Sequence, residues 1–379
     1  MNPRPWRCLR LVLAACLAAV SVLAQPALAA DARRKIIIDQ DSFGPAGSDL
    51  QSILMLLQDP RVEVLGICVV SGDGWRDEEV DHVLRLLEVA HRTEIPVYAG
   101  AVFPLVNSLA RTRAWEARYG RLVYKGAWSE TLLNPNSIRR SPYHADPFLV
   151  PPSPAGTATI KAQAESASGF MIRTVHQYPG QVTIWAGGPL TDLALAARLD
   201  PQFAALAEQL VFVGGSFNPQ AANNISSNEY VNSPRRNFNS FFDPEAASIV
   251  LHEAWRKITE IPTDPTTRTY ATPELLGRIA QGKAPFTPYL AANQRNFPLW
   301  DELAAAVWLD PTLATQKQTL LVDIDTSDGS GYGSTLSWPL NGGPGLGERP
   351  VEVIKEVDVP RLEDLVVKLL TQPKPTATP

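Results

Sequence analysis

The 379-residue chain reads as an α/β protein: a single domain with a mostly parallel, Rossmann-like sheet and helices on both faces. Three observations predict this. Continuous apolar runs of strand length recur along the chain. Segments with helical apolar spacing follow them. Gly- and Asp-bearing turns stand where the apolar runs end. Near-continuous apolar strands joined by crossover helices mark a parallel sheet covered on both faces.

In order, "KIIID" (35–39) is a strand and "DLQSILMLLQDP" (49–60) its helix. "VEVLGICVV" (62–70) is the second strand. The helix after it, "DEEVDHVLRLLEVAHR" (77–92), places Val80, Val83, Leu84, Leu87 and Val89 near helical spacing. "IPVYAG" (95–100) is a third strand. "QVTIWAGG" (181–188) leads into "PLTDLALAARL", and "QLVFVGG" (209–215) precedes the helical "DPEAASIVLHEAW". In such sheets ligands bind beyond the carboxyl ends of the strands. Asp39, Asp41, Gly72, Asp73, Gly187, Gly188, Gly214 and Gly215 stand at those ends, so they are expected to converge on one rim.

Residues 30–370 are assigned to this domain. Residues 103–160, rich in Pro, Trp and Arg, are expected to form a lid or irregular insertion. "SDGSGYGSTLSWPLNGGPGLGERP" (327–350) reads as a second irregular region between two strand-like runs. The polar, Pro-rich end (371–379) reads as a disordered tail.

Residues 1–29 carry the three-part pattern of a secretory signal peptide. Arg4, Arg7 and Arg10 precede the apolar "LVLAACLAAVSVLA", and "ALA" at 27–29 is the cleavage site. The expected location is the periplasm. A lipoprotein box ending at Cys16 is the rival, disfavoured because the apolar run continues past it. No later stretch is long and apolar enough to span a bilayer. Cleavage leaves Cys68 as the lone cysteine, in a run that reads as buried strand, so no intrachain disulfide is expected. It also removes three arginines, leaving 31 basic against 39 acidic residues. With no Lys/Arg cluster, a nucleic-acid partner is not expected.

The chemistry gathers at the first strand. "KIIIDQDSFGPAGSDLQSILMLL" (35–57) sets Asp39, Asp41 and Asp49 around one strand end. Carboxylates brought that close raise one another's pKa, and a hard cation such as calcium, with six to eight oxygen ligands, resolves the repulsion. The D-x-D pair alone is weak: a turn explains it equally, and Ser48 or Asp49 could serve as a helix N-cap.

The wider pattern resembles the inosine-uridine-preferring nucleoside hydrolases. The likeness starts in the D-x-D segment, the "VSGDG" turn and "IPVYAGA". It continues through "VTIWAGGPLTDLALA", "LVFVGGSFN", "NFNSFFDPEAASIV" and "WDELAAAVWLDP" to "VEVIKEVDVPRLEDLVVKLL". It implies a Ca²⁺-dependent hydrolase cleaving the bond between ribose and base in a small-molecule nucleoside, in a homodimer or homotetramer. It further implies Asp41 as calcium ligand and general base, Asp49 and Asp301 as calcium ligands, and Gly187 as a ligand through its carbonyl. Asp39 falls at a supporting position near the metal. Asn239 falls where ribose is held, and Asp73 where an asparagine ends the second strand's turn. Four departures stand out. The first turn is longer. Ser48 replaces a ribose-binding acid. Asn237 replaces a glutamate. Trp300 replaces the histidine linked to leaving-group protonation, where it either stacks on a purine or packs in the core. None of His82, His91, His144, His176 and His252 matches that histidine, and only His144, in the lid region, is a candidate to reach the site. Two rivals to nucleoside hydrolysis follow from the lost carboxylates: a non-catalytic ribosyl or nucleoside binder, and a hydrolase of a different N- or O-glycoside. A phosphotransferase with Asp39 as nucleophile is a third, opposed by the motifs downstream.

Overall fold

The computed structural model describes residues 33–122, 124–131, 140–219 and 236–373. The expected signal peptide with Cys16, residues 132–139 of the expected lid, and residues 374–379 of the expected tail lie outside the described residues.

Nine strands form one sheet: β1 (Arg34–Gln40), β2 (Val62–Val69), β3 (Val97–Ala99), β4 (Val182–Ala186), β5 (Gln209–Val213), β6 (Ile258–Ile261), β7 (Ala314–Ile324), β8 (Thr335–Trp338) and β9 (Pro350–Val357). Their order is β3-β2-β1-β4-β5-β6-β9-β7-β8. The strands from β3 to β9 pair in parallel, and β7 runs antiparallel to both β9 and β8. The sheet is thus mostly parallel, as the sequence predicts.

β1 explains why its apolar residues are continuous. Ile36 and Ile38 face one core layer, built with helices Ser48–Gln58, Trp300–Leu309 and Val359–Thr371. Ile37 faces the other, built with helices Ala167–Gln177, Thr191–Leu199 and Pro244–Leu251. Alternate side chains point to opposite faces, and here both faces are dry. All three isoleucines are fully buried, each removing from water side-chain area worth about 1.5–3 kcal/mol. Cys68 on β2 is buried and free, as its surroundings in the sequence suggest.

Three regions differ from expectation. The segment 327–350 is not wholly irregular, because Thr335–Trp338 pairs with Leu321–Ile324 as β8. With four residues at the sheet's edge, it is too short to show the alternation that would reveal it. β6, "ITEI", carries a buried glutamate at Glu260, which breaks the apolar run. Residues 103–160 include a helix, Leu109–Tyr119, whose N-cap Ser108 accepts from the Arg111 N–H. Farther along, the Glu88 carboxylate accepts from Thr159 N–H and O–H and from Ile160 N–H, pinning the end of the segment to helix Arg76–Val89.

The last helix seats against the first. Gln58 Nε2 donates to the Gln372 carbonyl and Gln372 Nε2 donates to the Gln58 carbonyl, each at 2.8 Å. Among the described residues no helix is long and apolar enough to cross a membrane.

Candidate active site

The parallel register brings the strand ends level. Asp39 pairs with Cys68 on β2 and with Ala186 on β4, and the Gly187 N–H donates to the Asp39 carbonyl at 2.8 Å. One residue further, the Gln40 carbonyl accepts from Val70 N–H. Asp41, the turn Ser71–Gly72–Asp73 and the pair Gly187–Gly188 therefore share one rim.

Asp41 lies wedged among glycines. A Cβ on Gly72 would fall 2.2 Å from Asp41 Oδ2, and one on Gly188 would fall 2.9 Å from Oδ1. Asp41 Oδ2 accepts from the Asp73 N–H at 3.1 Å. Only glycine lets two backbones approach a carboxylate this closely.

Helix Ser48–Gln58 follows the turn and is buried along its whole length. Gly47, not Ser48 or Asp49, occupies its N-cap, and no side chain caps it. Ser48 is instead used elsewhere: its hydroxyl donates to Glu302 and accepts from the Asp301 N–H at 2.9 Å. Asp49, in the first turn, stands where the helix dipole favours negative charge. Asp301, in the first turn of helix Trp300–Leu309, accepts from Gln40 Nε2 at 3.3 Å. Its carboxyl lies close to that of Asp49.

Asp41, Asp49 and Asp301 thus come together from residues up to 260 positions apart. Burial raises the pKa of Asp41 well above the ordinary range, with Asp73, Glu79 and Asp301 adding to it. Asp49 is raised by burial and then by Asp301, Asp73 and Asp41. Burial lifts Asp301 to about 6, against hydrogen bonds from Gln40, Ser48 and Asp49 that pull it down. Asp73 rises to about 7, chiefly through burial, and its charge in turn helps push up the buried Tyr124 phenol. Among the described residues, no three His, Cys, Asp or Glu side chains are drawn into a closed metal cage. The donor chemistry nonetheless suits a hard cation: buried oxygens that repel one another until positive charge arrives.

The remaining sequence-predicted residues fall around this group. Asp39 is fully buried behind Asp41, without a hydrogen bond to either carboxylate oxygen under ordinary donors; burial and the facing Asp192 keep its pKa high. Asn239 Nδ2 donates to the Gly187 carbonyl and to the Val213 carbonyl, the latter at 3.0 Å. Asn237 accepts from Ser240 N–H as the N-cap of helix Phe238–Phe242 and donates to Thr263 Oγ1 at 3.1 Å. Ser48 and Asn237 therefore spend their hydrogen bonds inside the protein. Trp300 opens the Asp301 helix and is half-buried. His144 is engaged at the start of helix Arg76–Val89, with Nε2 3.0 Å from Glu78 and its carbonyl accepting from Trp75 Nε1.

Sequence reasoning missed several residues. Gln40, between the two aspartates of the D-x-D, binds the Asp41 N–H through Oε1 at 3.1 Å while its Nε2 reaches Asp301. A side chain on Gly187 would strike it. Glu79 is fully buried and accepts from Gly74 N–H. Asp192 faces Asp39, and Glu302 faces Ser48. An acid near a helix start reads as an ordinary first-turn charge, so only Gln40 carried a signal, as an amide set between two acids.

These shifts fix a pH dependence. Asp301 titrates at about 6, Asp73 and Asp192 at about 7 and Glu302 at about 8, against ordinary values of 3.8 for Asp and 4.5 for Glu. The folded chain holds these protons more tightly than the unfolded one, so stability falls as pH rises through that window. Metal-stripped protein is expected to melt highest near about pH 5 and lower at about pH 8, with a divalent cation reversing the loss at the higher pH. Scanning fluorimetry in chelator, then with added cation, checks this; a melting temperature that climbs with pH in chelator would contradict it.

Comparison with known proteins finds similar chains along nearly the whole length. The profile described as inosine-uridine preferring nucleoside hydrolase matches residues 36–364. A probable uridine nucleosidase 1 of Oryza sativa subsp. japonica is 30% identical over 360 residues, covering 90% of this chain and 98% of its own. A pyrimidine-specific ribonucleoside hydrolase of Escherichia coli is 25% identical, covering 80% of this chain and 87% of its own. The solved structure of a plant nucleoside hydrolase superposes with a TM-score of 0.69 at 25% identity, over 89% of this chain and 99% of that one.

Proposed function

Because the chain belongs to the inosine-uridine preferring nucleoside hydrolase family, whose members are enzymes that hydrolyse the N-glycosidic bond of ribonucleosides, we propose that it does so with Ca²⁺ held at the rim and Asp41 as general base. One observation carries the reading: the carboxylates of Asp41, Asp49 and Asp301, distant in sequence, are buried together, and Asp301 helps raise the pKa of both Asp41 and Asp49. These three and the Gly187 carbonyl would hold the ion. That carbonyl already accepts from Asn239, but an oxygen with two lone pairs takes a second partner.

When bound, the cation neutralises the carboxylates and lowers the pKa of a nearby water. Asp41, fixed by Asp73 N–H and the flanking glycines, takes a proton from the attacking water. Bond cleavage to the base builds positive charge on the sugar ring, which the surrounding acids stabilise. Asp73, Asn239 and Trp300 make up the substrate side, and Asp39, Ser48 and Asn237, expected there from the sequence, back it from the buried side. Trp300 supplies a flat apolar face for a base and no proton for the leaving group.

The test is a base-release assay across purine and pyrimidine nucleosides. Chelation is expected to abolish release and Ca²⁺ to restore it, with about one ion per chain by metal analysis. Full activity in chelator on metal-free protein would overturn the proposal. A second reading, hydrolysis of a different N- or O-glycoside, is favoured by the internal bonding of Ser48 and Asn237. A panel containing other glycosides separates the two.

A further inference from the structure

Glu302 is fully buried, one residue beyond Asp301, and no role falls to it in the reaction as described. Its Oε2 accepts from the Ser48 hydroxyl, and its Oε1 has no hydrogen-bond partner. A buried carboxylate oxygen left unpaired is costly, so the chain keeps this acid against a stability penalty. The Ser48 oxygen also accepts from the Asp301 N–H, and the Asp301 carboxyl in turn meets Gln40 and Asp49. A single path runs from Glu302 through Ser48 to the backbone of a proposed metal ligand. It bridges the start of helix Ser48–Gln58 and the start of helix Trp300–Leu309, the two elements that deliver Asp49 and Asp301.

The resemblance drawn from the sequence expects an acid at position 48, where this chain has a hydroxyl. Ser48 is too short and too neutral to replace it alone. Glu302 brings a carboxylate to the same point from the opposite helix. We propose that Glu302 is a positioning residue: by holding the Ser48 hydroxyl, its carboxyl group sets Asp301 against Asp49.

The geometry dictates the logic. A serine hydroxyl can rotate among three wells. Glu302 takes its hydrogen and so turns its lone pairs toward the Asp301 N–H. Remove the carboxylate and the hydroxyl is free to swing, loosening the first turn that carries Asp301. Put a second acid at position 48 while Glu302 remains, and two carboxylates meet in a dry space.

The inference rests on the proposed Ca²⁺ site, and its test separates the two. Four proteins are compared with wild type: Glu302→Gln, Glu302→Ala, Ser48→Asp and Ser48→Asp/Glu302→Ala. Isothermal titration with CaCl₂ gives the first readout, independent of turnover. Glu302→Gln keeps shape, volume and an oxygen that accepts from Ser48, so it is expected to bind Ca²⁺ within about threefold of wild type. Glu302→Ala removes that acceptor and is expected to bind about 10-fold more weakly or worse, as lost outer partners of metal ligands do. Ser48→Asp alone is expected to lower the melting temperature. The double variant is expected to regain it and to bind Ca²⁺ within about threefold of wild type, a non-additive recovery of the kind contacting residues show. Where nucleosides are turned over, kcat/KM should follow the same order. Wild-type Ca²⁺ affinity in Glu302→Ala overturns the proposal, as does a double variant no better than the sum of its singles. If wild type binds Ca²⁺ but releases no base, the reaction assigned above fails while the titration still decides the role of Glu302. If wild type binds no Ca²⁺, both fall.

Discussion

Asp41→Asn is expected to slow base release by about a thousandfold, within the range that a general base contributes, without unfolding the protein. The carboxamide matches the carboxylate in shape and keeps an oxygen for the Asp73 N–H. What it loses is the capacity to take a proton and one of the charges meant for the cation. The stability effect should run the other way. Asp41 is buried beside Asp73, Glu79 and Asp301, all of which disfavour its charge. Removing that charge from metal-free protein relieves repulsion, so the melting temperature in chelator at about pH 8 should rise or hold. Activity and stability moving in opposite directions is the signature of a group kept for chemistry. Paired measurements of base release and melting temperature check it. An Asp41→Asn enzyme with wild-type turnover would remove the base from the scheme.

Gly72→Ala should damage the same step by a different route. The added methyl would lie 2.2 Å from Asp41 Oδ2 and 2.7 Å from its Cβ. Asp41 has little room to retreat, because Gly188 lies on another side, with its own Cβ position 2.8 Å from the Asp41 N. The backbone of one segment must move, and a misplacement of about 1 Å costs about 100-fold in rate. Turnover should fall by that order, with Ca²⁺ affinity falling too because Asp41 serves both. No side chain of the site is altered, so the loss would report placement alone. A Gly72→Ala enzyme with kcat/KM close to wild type would show that the turn yields more readily than its packing implies.

The sequence made some of this legible and concealed the rest for physical reasons. β1 was readable because its isoleucines are buried on both faces, leaving an uninterrupted apolar run that ends at Asp39. Asp41 and Asp49 were readable because they bracket the turn between that run and the next helix. Asp301 was not readable from spacing: its nearness to Asp49 depends on the packing of two helices remote in sequence, and only the family pattern pointed to it. The reading of Ser48 or Asp49 as a cap failed because Gly47 takes that position and the Ser48 hydroxyl faces Glu302. Glu302 and Asp192 were concealed because an acid in a helix's first turn is ordinary, and burial, which makes them unusual, is a tertiary fact. β8 was missed since an edge strand of four residues in a Gly-rich stretch offers too little alternation to detect.

The reciprocal pair of amide bonds between Gln58 and Gln372 bears on how the protein is made. A ribosome releases the chain from its amino end, so the helix bearing Asp49 emerges more than three hundred residues before the segment that braces it. Domains tend to fold as units, and this one has its opening helix locked by its closing one. The nascent polypeptide therefore lacks this brace until Gln372 has been made, and a product cut short before Val359 would never gain it.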